Sequence, residues 1–129
     1  MQIVDEKLTE TIIGCCFDVM NELGVGFLEK VYKNALAHAL KEKGLYVESE
    51  RRFDVYFRDI NVGLYIADIV VEKCVAVELK CCDKLIGDHQ AQIINYLKAA
   101  SIPVGLLINF GNSKIDFRRL NHPSTHFYY

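Results

Sequence analysis

The chain opens with helical periodicity. Leu8, Ile12, Cys15, Cys16, Val19, Met20 and Leu23 recur on one face of an α-helix, and Gly24 is placed to close it. A tight turn, GVGFLE, leads into a second stripe of Leu28, Val31, Tyr32, Ala35, Leu36, Ala39 and Leu40. Lys41 and Lys43 suit the negative end of that helix, and Gly44 suits the position just past it. From Tyr46 the period drops to two. Residues 46–50, 53–58, 62–71 and 74–80 read as strands, with RDIN at 58–61 as a turn. CCDKLIGD reads as a loop, with Asp88 as the N-cap of a third helix over about 89–100. Pro103 follows that helix; VGLLINF (104–110) reads as a buried strand and KIDFRRL (114–120) as an alternating edge strand. The predicted order is ααββββαββ, an α+β domain with helices against a mostly antiparallel or mixed sheet.

One stretch departs from the pattern. In ADIVVEKCVAVELK (67–80), Asp68, Glu78 and Lys80 interrupt apolar runs that read as a buried hairpin. Side chains alternate faces along a strand, so the turn decides whether these three meet. A two-residue Glu72-Lys73 turn puts Asp68 and Glu78 on opposite faces, and Glu-Lys is poor at the positive φ such turns need. A three-residue loop, 72–74, pairs Val71 with Val75 and Asp68 with Glu78, with Lys80 two residues along the same face. The second register is the expected one. Like charges directly opposite repel. A divalent cation between them removes the conflict, since Mg²⁺ takes carboxylate, water and phosphate oxygens. Lys80 can then orient water or stabilise charge developing at phosphorus. The bland alternative is a set of solvent-facing strand-end acids with Lys80 as a salt-bridge partner.

Composition narrows the classes. The chain has 129 residues, enough for one domain with a core (1–129, core about 8–120), and 51% are apolar against 25% charged. A formal net charge of -2 gives no general attraction to nucleic acid, though a local basic patch remains open. No apolar run nears the roughly 20 residues of a membrane span, and MQIVDEKLTE shows no secretion signal. An odd cysteine count, five, with two adjacent pairs, argues for reduced thiols in a cytoplasm; the spacing does not suit zinc. Phe127, Tyr128 and Tyr129 read as packing or disordered tail.

Two further segments bear on the hairpin. GFLEKVY (26–32) is a G-x-x-E-x-x-Y pattern at the start of the second helix, with Glu29 on the flank of the buried stripe. Helix capping by an acid is the alternative use of Glu29. In HQAQIINYLKAA (89–100), His89, Gln92 and Tyr96 share one helix face that can overlook the carboxylates. An amphipathic helix with a packed Tyr96 is the plainer reading.

Taken together, G-x-x-E-x-x-Y (26–32), A-D-x-x-V-E (67–72), A-V-E-L-K (76–80), H-x-x-Q-x-x-x-Y-L-K (89–98) and V-G-L-L-I-N-F-G (104–111) resemble the GxxExxY proteins. That group is placed in the PD-(D/E)XK nuclease superfamily, and the resemblance runs from about residue 8 to 120. The proline of the superfamily name is absent: Ala67 precedes Asp68. The resemblance implies a restriction-endonuclease-like core. It implies that Asp68, Glu78 and the Leu79 carbonyl hold Mg²⁺ (or Mn²⁺), with Glu29 contacting metal through water. Lys80 would be the catalytic lysine and Gln92 the accessory glutamine, with Tyr32, His89 and Tyr96 contacting or supporting substrate. The expected activity is hydrolysis of DNA or RNA by a metal-activated water, with a homodimer left open. A non-catalytic module of the same fold, binding nucleic acid or a protein, is the rival. Metal titration separates the two.

Overall fold

A computed structural model describes residues 4–124; the aromatic end at Phe127, Tyr128 and Tyr129 lies outside the described residues. The elements are α1 (Glu6–Leu23), α2 (Glu29–Glu42), β1 (Val47–Phe57), β2 (Ile60–Val71), β3 (Val75–Lys80), α3 (Gly87–Ala100), β4 (Val104–Asn109) and β5 (Asp116–Asn121). The strands form one sheet in the order β1-β2-β3-β4-β5, antiparallel except for the parallel β3–β4 pair. Parallel neighbours need a crossover connection, and α3 supplies it. The expected α+β mixed sheet with helices on its faces is what the chain adopts.

Alternation divides the sheet between two helical layers. Ile69, Val71, Val75, Val77 and Leu79 pack with the apolar stripes of α1 and α2, together with Leu106 and Ile108 of β4. Val70 and Ala76 face the other way, into a cluster with Leu97 of α3, and Leu107 meets Ile93 of the same helix. Gly105 has no side chain because α3 comes too close: a Cβ there would stand 2.9 Å from Ile93 Cδ1. The three wholly buried cysteines, Cys15, Cys16 and Cys74, serve as small core residues, and all five thiols are free.

Two elements differ from the sequence reading. Residues 46–50 and 53–58 are one strand, β1, not two. Its interruption is local: Glu50 has φ 53°, and the β1–β2 ladder skips the Glu50/Asp68 position without changing register. The third helix begins at Gly87 rather than after an Asp88 cap. Asp88 lies inside the first turn, where its charge meets the positive end of the helix dipole. The turn 72–74 has the expected three-residue length, because Val71 pairs with Val75 and Ile69 with Val77. Glu72 and Lys73 nevertheless take the positive φ that was held against them, 50° and 57°. Tyr46 secures them. Its N–H donates to Glu72 Oε2 at 2.6 Å, its carbonyl accepts from Glu72 N at 2.8 Å, and its ring lies under Lys73 Nζ.

Candidate active site

The hairpin register carries Asp68 opposite Glu78 by one step beyond the Ile69–Val77 pair. Here the strands part. β3 runs on to Lys80 beside β4, while β2 below Asp68 has only β1 as a neighbour. The Leu79 N–H, left without a ladder carbonyl, donates to Asp68 Oδ2 at 2.9 Å. A carboxylate therefore takes the place of a backbone acceptor, which fixes Asp68 beside β3. Asp68, Glu78 and Lys80 are each half-buried.

Burial, first, and the neighbouring Asp68 carboxylate push the Glu78 carboxyl up to about 8. The Tyr65 hydroxyl acts against them by donating to Glu78 Oε1 at 2.5 Å. The Tyr65 phenol is itself pushed up, by burial and then by Glu78, so it remains a protonated donor. Its ring is stacked between Phe53 and Tyr96, at centroid distances of 5.8 and 3.9 Å.

Glu78 and Lys80 form one wall of an open cleft whose other wall is α3, through His89, Gln92, Ile93 and Tyr96; Leu107 lies beneath. The helix face expected to overlook the acids lines this cleft with Glu78; Asp68 is not among the lining residues. Gln92 Nε2 donates to the Tyr96 hydroxyl at 2.9 Å. His89 also has a structural duty: its Nδ1 accepts the Ile86 N–H at 3.1 Å and so caps the start of α3.

Glu29 approaches from the N-terminus of α2. It is exposed, but partial burial and then the Asp68 charge raise its carboxyl, while Lys80 and Lys33 pull it down. The acid is thus within electrostatic reach of Asp68 and Lys80. Among the described residues, however, no three His, Cys, Asp or Glu side chains converge tightly enough to hold a metal by themselves. Tyr32 is not in the cleft at all. It is fully buried, stacked on Phe110 at 5.0 Å, and its hydroxyl donates to the Gly24 carbonyl at 2.6 Å while accepting the Phe27 N–H at 3.2 Å. It therefore supports the α1–α2 turn that carries Glu29, the supporting role of the two expected for it. Gly26, with φ 106°, bends the same turn. The G-x-x-E-x-x-Y pattern is one bend, one acid and one clamp.

Two residues of the site region were not singled out in the sequence. Tyr65 reads as an odd-numbered strand residue, on the face opposite Asp68 and Glu78. Its ring nevertheless joins the same α3-side cluster as Val70. The alternation resets between them, where the ladder skips Asp68 and Glu50. Asn109 is buried at the end of β4, and its amide holds the chain leaving β3: Oδ1 accepts from Cys82 N and Gly111 N, and Nδ2 donates to Cys82 O.

The oxygen chemistry suits a hard divalent cation. Two carboxylates lie side by side with a third nearby. Partial burial and then the Glu29 charge push the adjacent Cys81 thiol up. Three basic groups are engaged in other bonds. Lys33 pairs with Glu50 at 2.5 Å, Arg51 with Glu48 at 2.6 Å, and Arg119 bonds the Thr9 hydroxyl. Among the described residues, no helix is long and apolar enough to cross a membrane.

Comparison with known proteins agrees with this architecture. The crystal structure of SSO0001 superimposes with a TM-score of 0.55 at 25% identity, covering 90% of this chain. This chain spans 58% of the SSO0001 chain. No curated protein matches. Residues 6–120 match the PD-(D/E)XK nuclease superfamily, whose restriction-endonuclease-like fold is the α+β arrangement seen here. That match runs through every helix and strand, from the first turn of α1 into β5, so the chain belongs to the PD-(D/E)XK nuclease superfamily.

Proposed function

We propose that this domain is a divalent-metal-dependent phosphodiesterase acting on nucleic acid, and that within the superfamily it is one of the GxxExxY proteins. The observation that carries the reading is the juxtaposition of Asp68 and Glu78 at the strand fork, with Lys80 beside Glu78 in the cleft under α3. Asp68, Glu78 and the Leu79 carbonyl would hold Mg²⁺ or Mn²⁺, with Glu29 reaching it through water. When bound, the cation supplies Lewis acidity toward phosphate and water.

The chain's own groups do the rest. Asp68 is held in place by the Leu79 N–H, and Glu78 by Tyr65. The Lys80 ammonium lies on the cleft wall, where it can hold a water for in-line attack and offset negative charge on the phosphoryl oxygens. Gln92 and Tyr96, joined by their hydrogen bond, present a polar edge to substrate from α3. His89 uses Nδ1 for the helix cap, leaving Nε2 for a contact in the cleft.

The test is cleavage of single- and double-stranded DNA and RNA with Mg²⁺ or Mn²⁺, comparing wild type with Glu78→Ala and Lys80→Ala. Activity present in wild type and lost in both variants is expected. Cleavage that persists equally in both marks a contaminant and removes the assignment. The second reading is a non-catalytic module that binds nucleic acid or protein. It is favoured by the absence of a closed three-ligand cluster among the described residues. Failure of the wild type to bind Mn²⁺ at millimolar concentration would select it.

A further inference from the structure

The bond between Tyr65 and Glu78 ties an aromatic stack to the acid pair. Tyr65 stands three residues before Asp68 on β2 and is only 3% exposed. Its ring lies nearly parallel to Phe53 on one side and Tyr96 on the other, at interplanar angles of 19° and 13°. Packing alone would be served as well by phenylalanine. The hydroxyl needs a partner once buried, and its partner is Glu78 Oε1 at 2.5 Å. Phenol and carboxyl oxygens at that distance are in direct hydrogen-bond contact.

A glutamate side chain has three rotatable torsions, and a carboxylate can offer a cation either oxygen or both. A fixed donor on one oxygen removes that freedom. We infer that Tyr65 is a positioning residue for Glu78: its hydroxyl occupies Oε1 and turns the other oxygen toward a divalent cation shared with Asp68. The stack makes the donor rigid. Phe53 comes from the neighbouring strand and Tyr96 from α3, so the ring is set from both layers around it. Gln92, bonded to the Tyr96 hydroxyl, extends the same arrangement to the mouth of the cleft. Tyr65 thereby links the metal-binding strand to the helix assigned to substrate.

This inference rests on the proposed function, and its test separates the two. The full chain is titrated with Mn²⁺ by calorimetry, wild type against Tyr65→Phe, and each protein is melted in chelator to establish its metal-free fold. Phenylalanine keeps the stack and removes only the hydroxyl. Mn²⁺ binding on the order of tenfold weaker, with a cooperative metal-free melt retained, is the expected result, in line with other residues that orient a metal ligand. Equal affinity in the two proteins overturns the inference and leaves the proposed function standing. A wild type that binds no Mn²⁺ overturns both. Should the variant not fold, the wild type carries the test: Mg²⁺ binding should perturb the near-ultraviolet absorption of a buried tyrosine. Mg²⁺ binding with an unchanged tyrosine spectrum overturns the inference.

Discussion

Glu78→Gln removes one charge and almost no volume, and the structure sets what that does to the metal-free protein. The carboxyl titrates near 4.5 when unperturbed and near 8 in the fold. Between those values the native state holds a proton that the unfolded chain has released. Wild-type stability therefore falls as pH rises through this window, is unaffected by Glu78 below it, and levels off above it. Each pH unit is worth about 1.4 kcal/mol, so the full window sets a ceiling of roughly 4–5 kcal/mol. The cleft is open on one side and water can reach the carboxylate, so a net effect of about 2–3 kcal/mol is expected. Glutamine carries no charge to desolvate or repel Asp68, and its carbonyl can still accept from Tyr65.

The assay is urea unfolding of both proteins in chelator at about pH 5, 6.5 and 8.5. The variant should be the more stable at the highest pH, and its advantage should shrink toward the lowest. An offset independent of pH, or one that grows toward acid, refutes the idea that Glu78 is strained by burial beside Asp68. Mg²⁺ at a hundred times its Kd should bring the two proteins close to equal at the highest pH, because binding adds about 2.7 kcal/mol to the protein that binds it, about the size of the variant's advantage. In the proposed function, the charge that weakens the metal-free fold is the one that would hold the cation.

Three further substitutions test the frame around the acids, one of them as a control. A Cβ on Gly111 would stand 2.2 Å from Cys82 O and 2.6 Å from Cys82 N, both backbone atoms; Gly111→Ala should cost about 3 kcal/mol. Gly63→Ala meets nothing within 4 Å and should stay within about 0.5 kcal/mol of wild type, so equal losses in urea unfolding would contradict the crowding. Tyr32→Phe deletes the hydroxyl that clamps Gly24 and Phe27 and should lower stability by about 1–2 kcal/mol in the same measurement. An unchanged midpoint would show that the clamp does not hold the turn.

The hairpin and its acids were legible because they depend on counting. Once the loop is three residues, counting puts Asp68 one step beyond the Ile69–Val77 pair, and the Leu79 N–H bond to Asp68 and the Asp68 charge felt by Glu78 agree with that placement. The helical stripes were legible for the same reason, and the buried positions Ile12, Cys15, Cys16, Val19 and Met20 fall where the period puts them. Tyr65 was not legible because counting fails there. The ladder skips Asp68, the parity of β2 resets, and no residue type in the strand announces it. The break in β1 was read as a gap between two strands, whereas Glu50 takes a positive φ and the strand resumes in register. The Asp88 cap failed because the helix starts earlier, at Gly87 with Ile86 as N-cap, and the His89 ring accepts the Ile86 N–H from within the first turn. Asn109 looked like the end of a buried strand, and only the folded chain shows Cys82 returning to its amide.

Why the acids lie where they do follows from the sheet. A strand that leaves its neighbour strands backbone groups without partners, and buried ones must be satisfied. β2 leaves β3 after Ile69, and the group exposed on β3 is the Leu79 N–H. Asp68 satisfies it with a side chain, so the acid is required by the fork before any metal is considered. On its other side Asp68 faces Glu50, where the ladder is also broken, and Glu50 is drawn away to Lys33 on α2. The result is a carboxylate released from both neighbouring strands yet still anchored through one oxygen. Glu78, one step across, is anchored through Tyr65 in the same manner. Each acid thus spends one oxygen on the fold and keeps one for chemistry. Asp68→Asn separates the two duties, since an amide oxygen still accepts the Leu79 N–H but carries no charge for a cation. The fork should survive that change, seen as an unchanged metal-free melt, while Mn²⁺ affinity falls at least tenfold, the low end for a disturbed metal site. Loss of the fold together with the metal would mean that the anchor depends on charge, and the division of duties would not hold.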